Sequence, residues 1–193
     1  MTTGENGKDE RPWPTASAGR VASINVSEGG VPKRPVERRR IGTGGLEGDR
    51  QRDRRHHGGP DRAVTLFSLE RIEALQGEGH PISPGTIGEN LTIAGVDWSS
   101  LTPGARLDVG EVRLEVTSFA SPCEKIAASF RCGEFTRVAE KLHPGWSRLC
   151  ARVVRDGTVQ VGDPVRIVVA SEDGAPEPRP GDESCAGSAE DEP

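Results

Sequence analysis

Cys123 is the residue of this sequence that is best placed to do chemistry. An alternating run typical of a strand leads through 107–117 to Ser121-Pro122-Cys123. Proline lacks a backbone N–H and favours an extended residue before it, so the sheet should stop before the cysteine. A thiol held at a strand end is fixed and open to a ligand, and Lys125 would favour the thiolate, which binds soft metals. A buried thiol that only fills space is the alternative interpretation.

A second candidate is the segment 48–62, which reads GDRQRDRRHHGGPDR between two predicted strands. Glycines let backbone N–H groups approach a ligand closely, and guanidinium groups bind phosphate through two parallel hydrogen bonds. The segment is therefore predicted to bind an oxyanion, most naturally a phosphate, through Arg52, Arg54, His57, Gly58 and Gly59. A solvated loop with a Gly-Gly-Pro turn is the alternative, in which His57 only hydrogen-bonds within the loop.

A third candidate is Asn90, which opens a predicted strand within GTIGENLTI at 85–93. Its side-chain amide pairs a donor with an acceptor and would suit a heteroaromatic ring. An asparagine that only holds a turn is equally compatible with the pattern.

Composition and charge exclude several classes of function. The chain of 193 residues is 33% apolar and has neither a secretory leader nor a long apolar run, so we expect a cytoplasmic protein with reduced thiols and no membrane contact. The chain carries a net charge of −5, of which residues 170–193 contribute −7, from eight acidic residues and one arginine, and residues 1–19 contribute −1, so residues 20–169 carry +3. That weak positive field suits an anionic small ligand and argues against nucleic acid. P-loop, HExxH and GxSxG motifs are missing.

The pattern of elements predicts a mainly β protein. Residues 1–19 and 171–193 are polar and without periodicity, so we expect two disordered tails around one domain at 20–170. Roughly eight or nine short strands are expected, including a charged edge strand at Pro35–Ile41. Short helices are expected at Leu69–Leu75, capped by Ser68, and at Glu134–Leu142. This content predicts a closed or nearly closed β-barrel with one or two short helices, and structural roles for Cys132 and Cys150.

Taken together and in this order, these segments resemble the MOSC domain, named for the C-terminal region of molybdenum cofactor sulfurases, and most closely its small stand-alone bacterial members. The matching pieces are GDRQRD…HHGGPDRAV at 48–64, GTIGENLTIAGVDW at 85–98, PGARLDVGEVRLEVTSFASPCEKI at 103–126 and GWSRLCARVVRDGTVQVGDPVRI at 145–167. The likeness covers about residues 20–169. It implies a β-barrel with one functional cysteine, Cys123, which either ligates molybdenum in a pterin cofactor or carries sulfur as a persulfide.

The resemblance also implies partners and site residues. Larger relatives join this domain to a pyridoxal-phosphate cysteine desulfurase, or to a β-barrel with which it forms a reductase of N-hydroxylated compounds. A cysteine desulfurase or an electron-donor protein is therefore an expected partner. Stand-alone relatives often carry an arginine before the cysteine, where this chain has Phe119-Ala120-Ser121. With Cys123 as catalytic residue and metal ligand, the expected cofactor-binding residues are Asn90, Ser121, Lys125, Arg52, Arg54, His57, Gly58 and Gly59.

Three functions are compatible with these residues. The first is a molybdenum-dependent oxidoreductase in which Cys123 ligates the metal and an N-hydroxylated substrate loses oxygen. The second is a sulfur carrier with sulfurtransferase-type activity, in which Cys123 receives a persulfide from a cysteine desulfurase and passes it to a cofactor or biosynthetic acceptor. The third is a non-catalytic carrier of the molybdenum cofactor. We rank them in this order.

Deleting residues 171–193 should leave the melting temperature and the cofactor content nearly unchanged. A segment without apolar periodicity buries little surface and adds little to the free energy of unfolding. Thermal denaturation of the full-length and shortened chains checks this, and a drop of more than a few degrees would contradict it.

Overall fold

The computed structural model describes residues 19–50 and 59–168, and the described part is mainly β. Its strands are β1 Gly19–Val26, β2 Arg34–Val36, β3 Arg38–Gly42, β4 Gly45–Leu46, β5 Val64–Ser68, β6 Leu91–Ala94, β7 Arg106–Val109, β8 Val112–Ala120, β9 Arg148–Arg155, β10 Gly157–Gln160 and β11 Pro164–Val168. One α-helix, α1, spans Leu69–Gly77. Short 3₁₀ helices lie at Pro60–Arg62, Trp98–Ser100, Glu124–Ser129, Arg131–Gly133 and Phe135–Val138.

Seven of the strands close into a barrel. The order is β11-β7-β8-β9-β5-β6-β1, and β1 pairs back to β11 through Gly19 and Val165. Strand β2 extends this sheet beside β1, and β10, β3 and β4 form a second, small sheet. The predicted mainly β, closed barrel with short helices is confirmed. Both predicted tails fall almost entirely outside the described residues.

The barrel interior is filled by aliphatic side chains that alternate along the strands. In β8, Val112, Leu114 and Val116 are fully buried, and each such side chain contributes about 1.5–3 kcal/mol when removed from water. The alternation ends after Val116, because the last four residues of β8 are only partly buried. This half-exposed end of β8 forms one wall of the site described below.

The charged stretch Pro35–Ile41, expected as a single edge strand, is divided between two sheets. Residues of β2 pair with β1 in the barrel, whereas β3 pairs with β10 and β4. The chain bends at Glu37, whose carbonyl accepts a hydrogen bond from Val161 N at 2.9 Å. The expectation of a single edge strand was therefore wrong. The alternation of side chains along a sequence does not show where the chain passes from one sheet to another.

The helix expected at Glu134–Leu142 is also different in the structure. Only Phe135–Val138 forms a 3₁₀ helix, Ala139 is extended, and Leu142 is 64% exposed. The guanidinium of Arg137 is held by Glu78 at the end of α1 and lies 3.7 Å over the Trp146 ring. These tertiary contacts override the helical spacing of the sequence. No helix in the described part of the chain has the length and apolar character needed to span a membrane.

The turn at Gly85 links the fold to the site. Gly85 has φ +82°, its N–H donates to the Glu89 carboxylate at 2.6 Å, and its carbonyl accepts from Lys33 N at 2.9 Å. A Cβ at this position would lie 2.6 Å from the carbonyl oxygen of Lys33. Only glycine therefore fits between the two segments.

Gly85→Ala should destabilise the protein more than Gly104→Ala does. Both glycines have positive φ, which costs alanine about 1–2 kcal/mol. Only alanine at position 85 meets the backbone of Lys33, and forced overpacking adds about 1–3 kcal/mol. Urea denaturation of both variants measures the difference, and equal free energies of unfolding would contradict the close contact.

Candidate functional site

The end of β8 fixes the position of Cys123. The last pair of the β8–β9 ladder joins Ala120 to Arg148, and the Ala120 carbonyl accepts from Ser147 Oγ at 3.1 Å. The sheet stops there, before Pro122, as the sequence predicted. Cys123 is extended, and its carbonyl accepts from Ile126 N as the 3₁₀ helix Glu124–Ser129 begins. The backbone is therefore fixed on both sides of Cys123. The residue is half-buried, so its free thiol stays accessible.

Cys123 lines a cavity of about 400 Å³ at one end of the barrel. The cavity lies where β1 and β8 end and where β5, β6 and β9 begin. It brings together four of the residues singled out in the sequence, Cys123, Asn90, Ser121 and Lys125. Ser121 and Lys125 are exposed, and Asn90 is buried.

The lining of this cavity is cationic. Among the described residues that line it, five are basic and none is acidic: Lys33, Arg50, Arg62, Lys125 and Arg148. Basic groups converging on a partly enclosed space raise the local concentration of anions and strengthen hydrogen bonds to them. The cavity is therefore electrostatically suited to an anionic ligand, as the +3 charge of residues 20–169 suggested.

The side chain of Asn90 is hydrogen-bonded to the protein through both of its ends. Its Oδ1 accepts from Thr65 N at 3.1 Å, and its Nδ2 donates to Asp49 Oδ2 at 2.8 Å and to the Asn25 carbonyl at 3.3 Å. Asn90 thus holds Asp49 in place and ties β5 to β1. These contacts support a positioning role for Asn90, and direct contact with a ligand ring stays a prediction.

Asp49 is the centre of a buried ion pair. Its Oδ2 also accepts from Lys33 Nζ, and its Oδ1 accepts from Ser27 N at 2.8 Å. The side chains of Lys33 and Asp49 are 10% and 3% exposed. Burial lowers the pKa of Lys33, and the Asp49 carboxylate opposes part of that shift. The pair holds an ammonium group at the cavity wall while its counter-charge lies behind the wall.

Glu89 and Arg148 form a second pair of opposite charges beside the cavity. Glu89 is completely buried, and its Oε1 accepts from Gly85 N and from Thr92 Oγ1. Burial raises the pKa of Glu89 despite these hydrogen bonds and the attraction of Arg148. Burial also lowers the pKa of Arg148, against the attraction of Glu89, Cys150 and Cys123. Glu89 Oε2 and Arg148 Nε are buried without a hydrogen-bond partner among the described residues.

Only part of the predicted oxyanion-binding segment, 48–62, lies within the described residues. Arg52, Arg54, His57 and Gly58 lie outside the described residues. Gly59 is described, is exposed and does not line the cavity. The two arginines of the same motif that are described, Arg50 and Arg62, do line the cavity.

Sequence reasoning missed four residues of the site. Lys33 and Arg148 were overlooked because a basic residue in a turn segment or in a strand is normally solvated. Asp49 and Glu89 stand within the quoted motifs, but no spacing marks them as the counter-charges of those cations. Cys150 was assigned a structural role and is 6% exposed within β9, although it also lines the cavity.

The donor set fits a molybdenum cofactor. A thiol is the kind of ligand that soft metal centres accept, and Cys123 offers one in an accessible position. Arg148 lines the same cavity, and its guanidinium is the type of group that binds an anion such as a phosphate. Both groups line one cavity, so a single ligand could engage the two.

Comparison with known proteins gives a family and two bacterial relatives. The model of the MOSC domain matches residues 53–166. The uncharacterized protein YflK of Bacillus subtilis (strain 168) is 30% identical over 149 residues, which are 76% of this chain and 66% of YflK. Protein YiiM of Escherichia coli (strain K12) is 28% identical over 129 residues, 64% of this chain and 56% of YiiM. The chain therefore spans less than two thirds of each of these relatives.

Solved structures support the fold. A crystal structure of a hypothetical protein superimposes with a TM-score of 0.64 at 25% identity, covering 81% of this chain and 71% of the other. YiiM from Geobacillus stearothermophilus gives a TM-score of 0.61 at 23% identity, covering 78% and 75%. The barrel architecture is shared with both structures. At 23% identity, the similarity to YiiM from Geobacillus stearothermophilus concerns the fold alone.

The buried carboxyl of Glu89 predicts a pH-dependent effect of Glu89→Gln. Because the folded state raises its pKa, the neutral acid contributes stability at low pH that is lost as the pH rises through the raised pKa. The cations that interact with this carboxyl are Lys33 and Arg148, and its pKa is raised despite their attraction. Glutamine stays neutral, so the melting temperature of Glu89→Gln minus that of the parent should increase as the pH rises above the ordinary glutamate pKa of about 4.5.

The control is Glu73→Gln, which changes an exposed glutamate on α1. Its difference from the parent should stay flat over the same range, since solvent screens a surface carboxylate in the folded and unfolded states alike. A flat difference for Glu89→Gln as well would contradict the raised pKa of Glu89.

Proposed function

Since the chain belongs to the MOSC domain family, which is linked to molybdenum cofactor binding, we propose that its cavity binds a molybdenum cofactor with Cys123 as the protein's ligand to the metal. The observation that carries this proposal is the position of Cys123, at a strand end in a cavity whose described lining has five basic residues and no acidic one. A soft sulfur ligand and an anion-binding lining are the two things such a cofactor requires of a protein.

The residues of the cavity have different roles in binding the cofactor. Cys123 supplies the sulfur, and hydrogen bonds to the carbonyls of Ala120 and Cys123 fix the backbone around it. The basic residues of the lining attract and orient the anionic part of the cofactor. Asp49 does not line the cavity, but it holds Lys33 at the wall and is itself held by Asn90. Contact between the Asn90 amide and the pterin ring is part of this proposal.

When bound, a molybdenum cofactor supplies two-electron redox chemistry. The reaction that we propose is the reduction of an N-hydroxylated compound by two electrons and two protons to the amine and water, with the electrons delivered by an external donor protein. The cavity of about 400 Å³ would partly enclose the reacting groups while leaving Cys123 accessible. A non-catalytic carrier of the cofactor would use the same residues and show no turnover.

A sulfur carrier is the second candidate, and the partial exposure of Cys123 favours it. A persulfide must reach the active site of a cysteine desulfurase and then that of an acceptor, so its sulfur has to be accessible. In that function Cys123 would accept sulfur from the desulfurase persulfide, leaving a thiol on the donor, and would bind no metal tightly.

Cys123→Ser should abolish molybdenum binding without unfolding the protein, because a hydroxyl oxygen does not replace sulfur as a soft ligand. The measurement is metal analysis together with pterin fluorescence on protein produced in a host that makes the cofactor. Cys132→Ser is the matched control, since Cys132 is an exposed cysteine that does not line the cavity. Cys150→Ser should also retain the metal, with a modest loss of stability.

Parental molybdenum content in Cys123→Ser would overturn the proposal. Protein that holds no metal, but carries one extra sulfur atom on Cys123 by mass spectrometry after incubation with a cysteine desulfurase, would establish the sulfur carrier instead. Metal and pterin without reduction of any N-hydroxylated compound would indicate the cofactor carrier.

A further inference from the structure

Cys150 is a buried thiol that the proposed function does not use. It is the third residue of β9, and it lines the same cavity as Cys123. Both thiols are free. A buried cysteine usually fills space in a core, but this one faces a cavity that already contains a half-buried, accessible thiol. The cavity therefore offers two thiols of unequal exposure.

The pairing of β9 fixes where the side chain of Cys150 points. Cys150 lies between Ser118 of β8 and Thr65 of β5, and Thr117 Oγ1 donates to its carbonyl at 3.1 Å. Because side chains alternate along a strand, Arg148 and Cys150 share one face of β9, and both line the cavity. The thiol is thus held at the cavity wall by strands on both sides.

Cys123 reaches the same space from the end of β8. Ala120, the last residue of β8, pairs with Arg148, and Cys123 follows three residues later. The 3₁₀ helix Glu124–Ser129 then returns to the barrel, since Ile126 is buried in the core and lines the cavity. Burial lowers the pKa of Arg148, and both thiols are among the groups that oppose this shift. The two thiols therefore lie within electrostatic reach of one guanidinium.

We propose that Cys150 is the resolving thiol of Cys123, which means that it displaces a small thiol bound to Cys123 and closes a Cys123–Cys150 disulfide across the cavity. The co-reactant is a small disulfide such as oxidised glutathione. The Cys123 thiolate attacks it, forms a mixed disulfide and releases one small thiol. The Cys150 thiolate then attacks the Cys123 sulfur, and the second small thiol leaves. Two protein thiols are oxidised, one small disulfide is reduced to two thiols, and the two protein protons pass to the leaving groups.

The unequal exposure of the two thiols suits this order of steps. Cys123 is accessible to a small disulfide, whereas Cys150 is 6% exposed and meets only what is already bound in the cavity. The pair makes Cys123 a site of reversible modification, because its sulfur can bind a metal only in the reduced form. This inference goes beyond the proposed function and requires no metal.

The experiment incubates the metal-free, full chain with oxidised glutathione at about pH 8.5, where half of an ordinary thiol is ionised. Peptide mapping by mass spectrometry then identifies what Cys123 is bonded to. In the parent, the main product should be the Cys123–Cys150 disulfide. In Cys150→Ser, Cys123 should keep glutathione, at a level at least about tenfold above the parent, because an intramolecular thiol acts at a higher effective concentration than an added one.

Cys132→Ser is the matched control, since Cys132 is exposed and does not line the cavity. It should form the same disulfide as the parent. Mapping also detects pairing with Cys185, which lies outside the described residues. Equal glutathione on Cys123 in the parent and in Cys150→Ser would overturn the inference, as would a disulfide from Cys123 to Cys132 or Cys185. Cys150→Ala replaces Cys150→Ser if the serine variant does not fold.

The outcomes also separate this inference from the proposed function. A Cys123–Cys150 disulfide in protein that never acquires molybdenum would leave the resolving thiol standing while the proposed cofactor fails. Molybdenum bound through Cys123, together with a persistent glutathione adduct on Cys123 in the metal-free parent, would leave the cofactor standing and the resolving thiol overturned.

Discussion

The Asp49 carboxylate accepts hydrogen bonds from Lys33, from Asn90 and from the backbone N–H of Ser27, so three segments of the chain meet at one buried anion. A carboxylate that is 3% exposed is tolerated only because these donors replace its water. Removing any one donor would leave a buried charge short of a partner. The position of the cavity wall therefore depends on this group, although Asp49 itself does not line the cavity.

A second buried polar chain joins this centre to the turn at Gly85. Ser23 donates to Asn25, Asn25 to Thr92, and Thr92 to Glu89, whose carboxylate also receives the N–H of Gly85. The network crosses between β1 and β6, where an aliphatic barrel would carry only apolar contacts. Such networks fix the relative position of strands more narrowly than aliphatic packing does, since each hydrogen bond requires its own geometry. The segment before β6 can therefore present Gly88 and Asn90 to the cavity at defined positions.

Charges around the cavity are segregated by depth. Acidic groups lie behind the wall, basic groups lie on it, and the barrel interior beyond is apolar. Burial shifts the pKa of Lys33 downward and that of Glu89 upward, both toward the neutral form, while the attraction between opposite charges resists each shift. An anion entering the cavity would meet cations whose acidic partners, Asp49 and Glu89, lie behind the wall and accept hydrogen bonds from the protein. That arrangement favours an anionic ligand more than the small net charge of the folded part suggests.

The sequence by itself determined the barrel, the N-cap at Ser68 and the strand end before Pro122 that places Cys123 just past the sheet, because proline geometry, side-chain alternation and capping act over a few neighbouring residues. Only the tertiary structure decided that Pro35–Ile41 serves two sheets, that Glu134–Leu142 is not an α-helix, and that Lys33 and Arg148 face the thiol's cavity. Those outcomes depend on contacts between residues that are far apart in the chain, such as Arg137 with Glu78 and Lys33 with Asp49. Local periodicity carries no record of such pairings, since a basic residue looks the same in the sequence whether solvent or a buried carboxylate surrounds it.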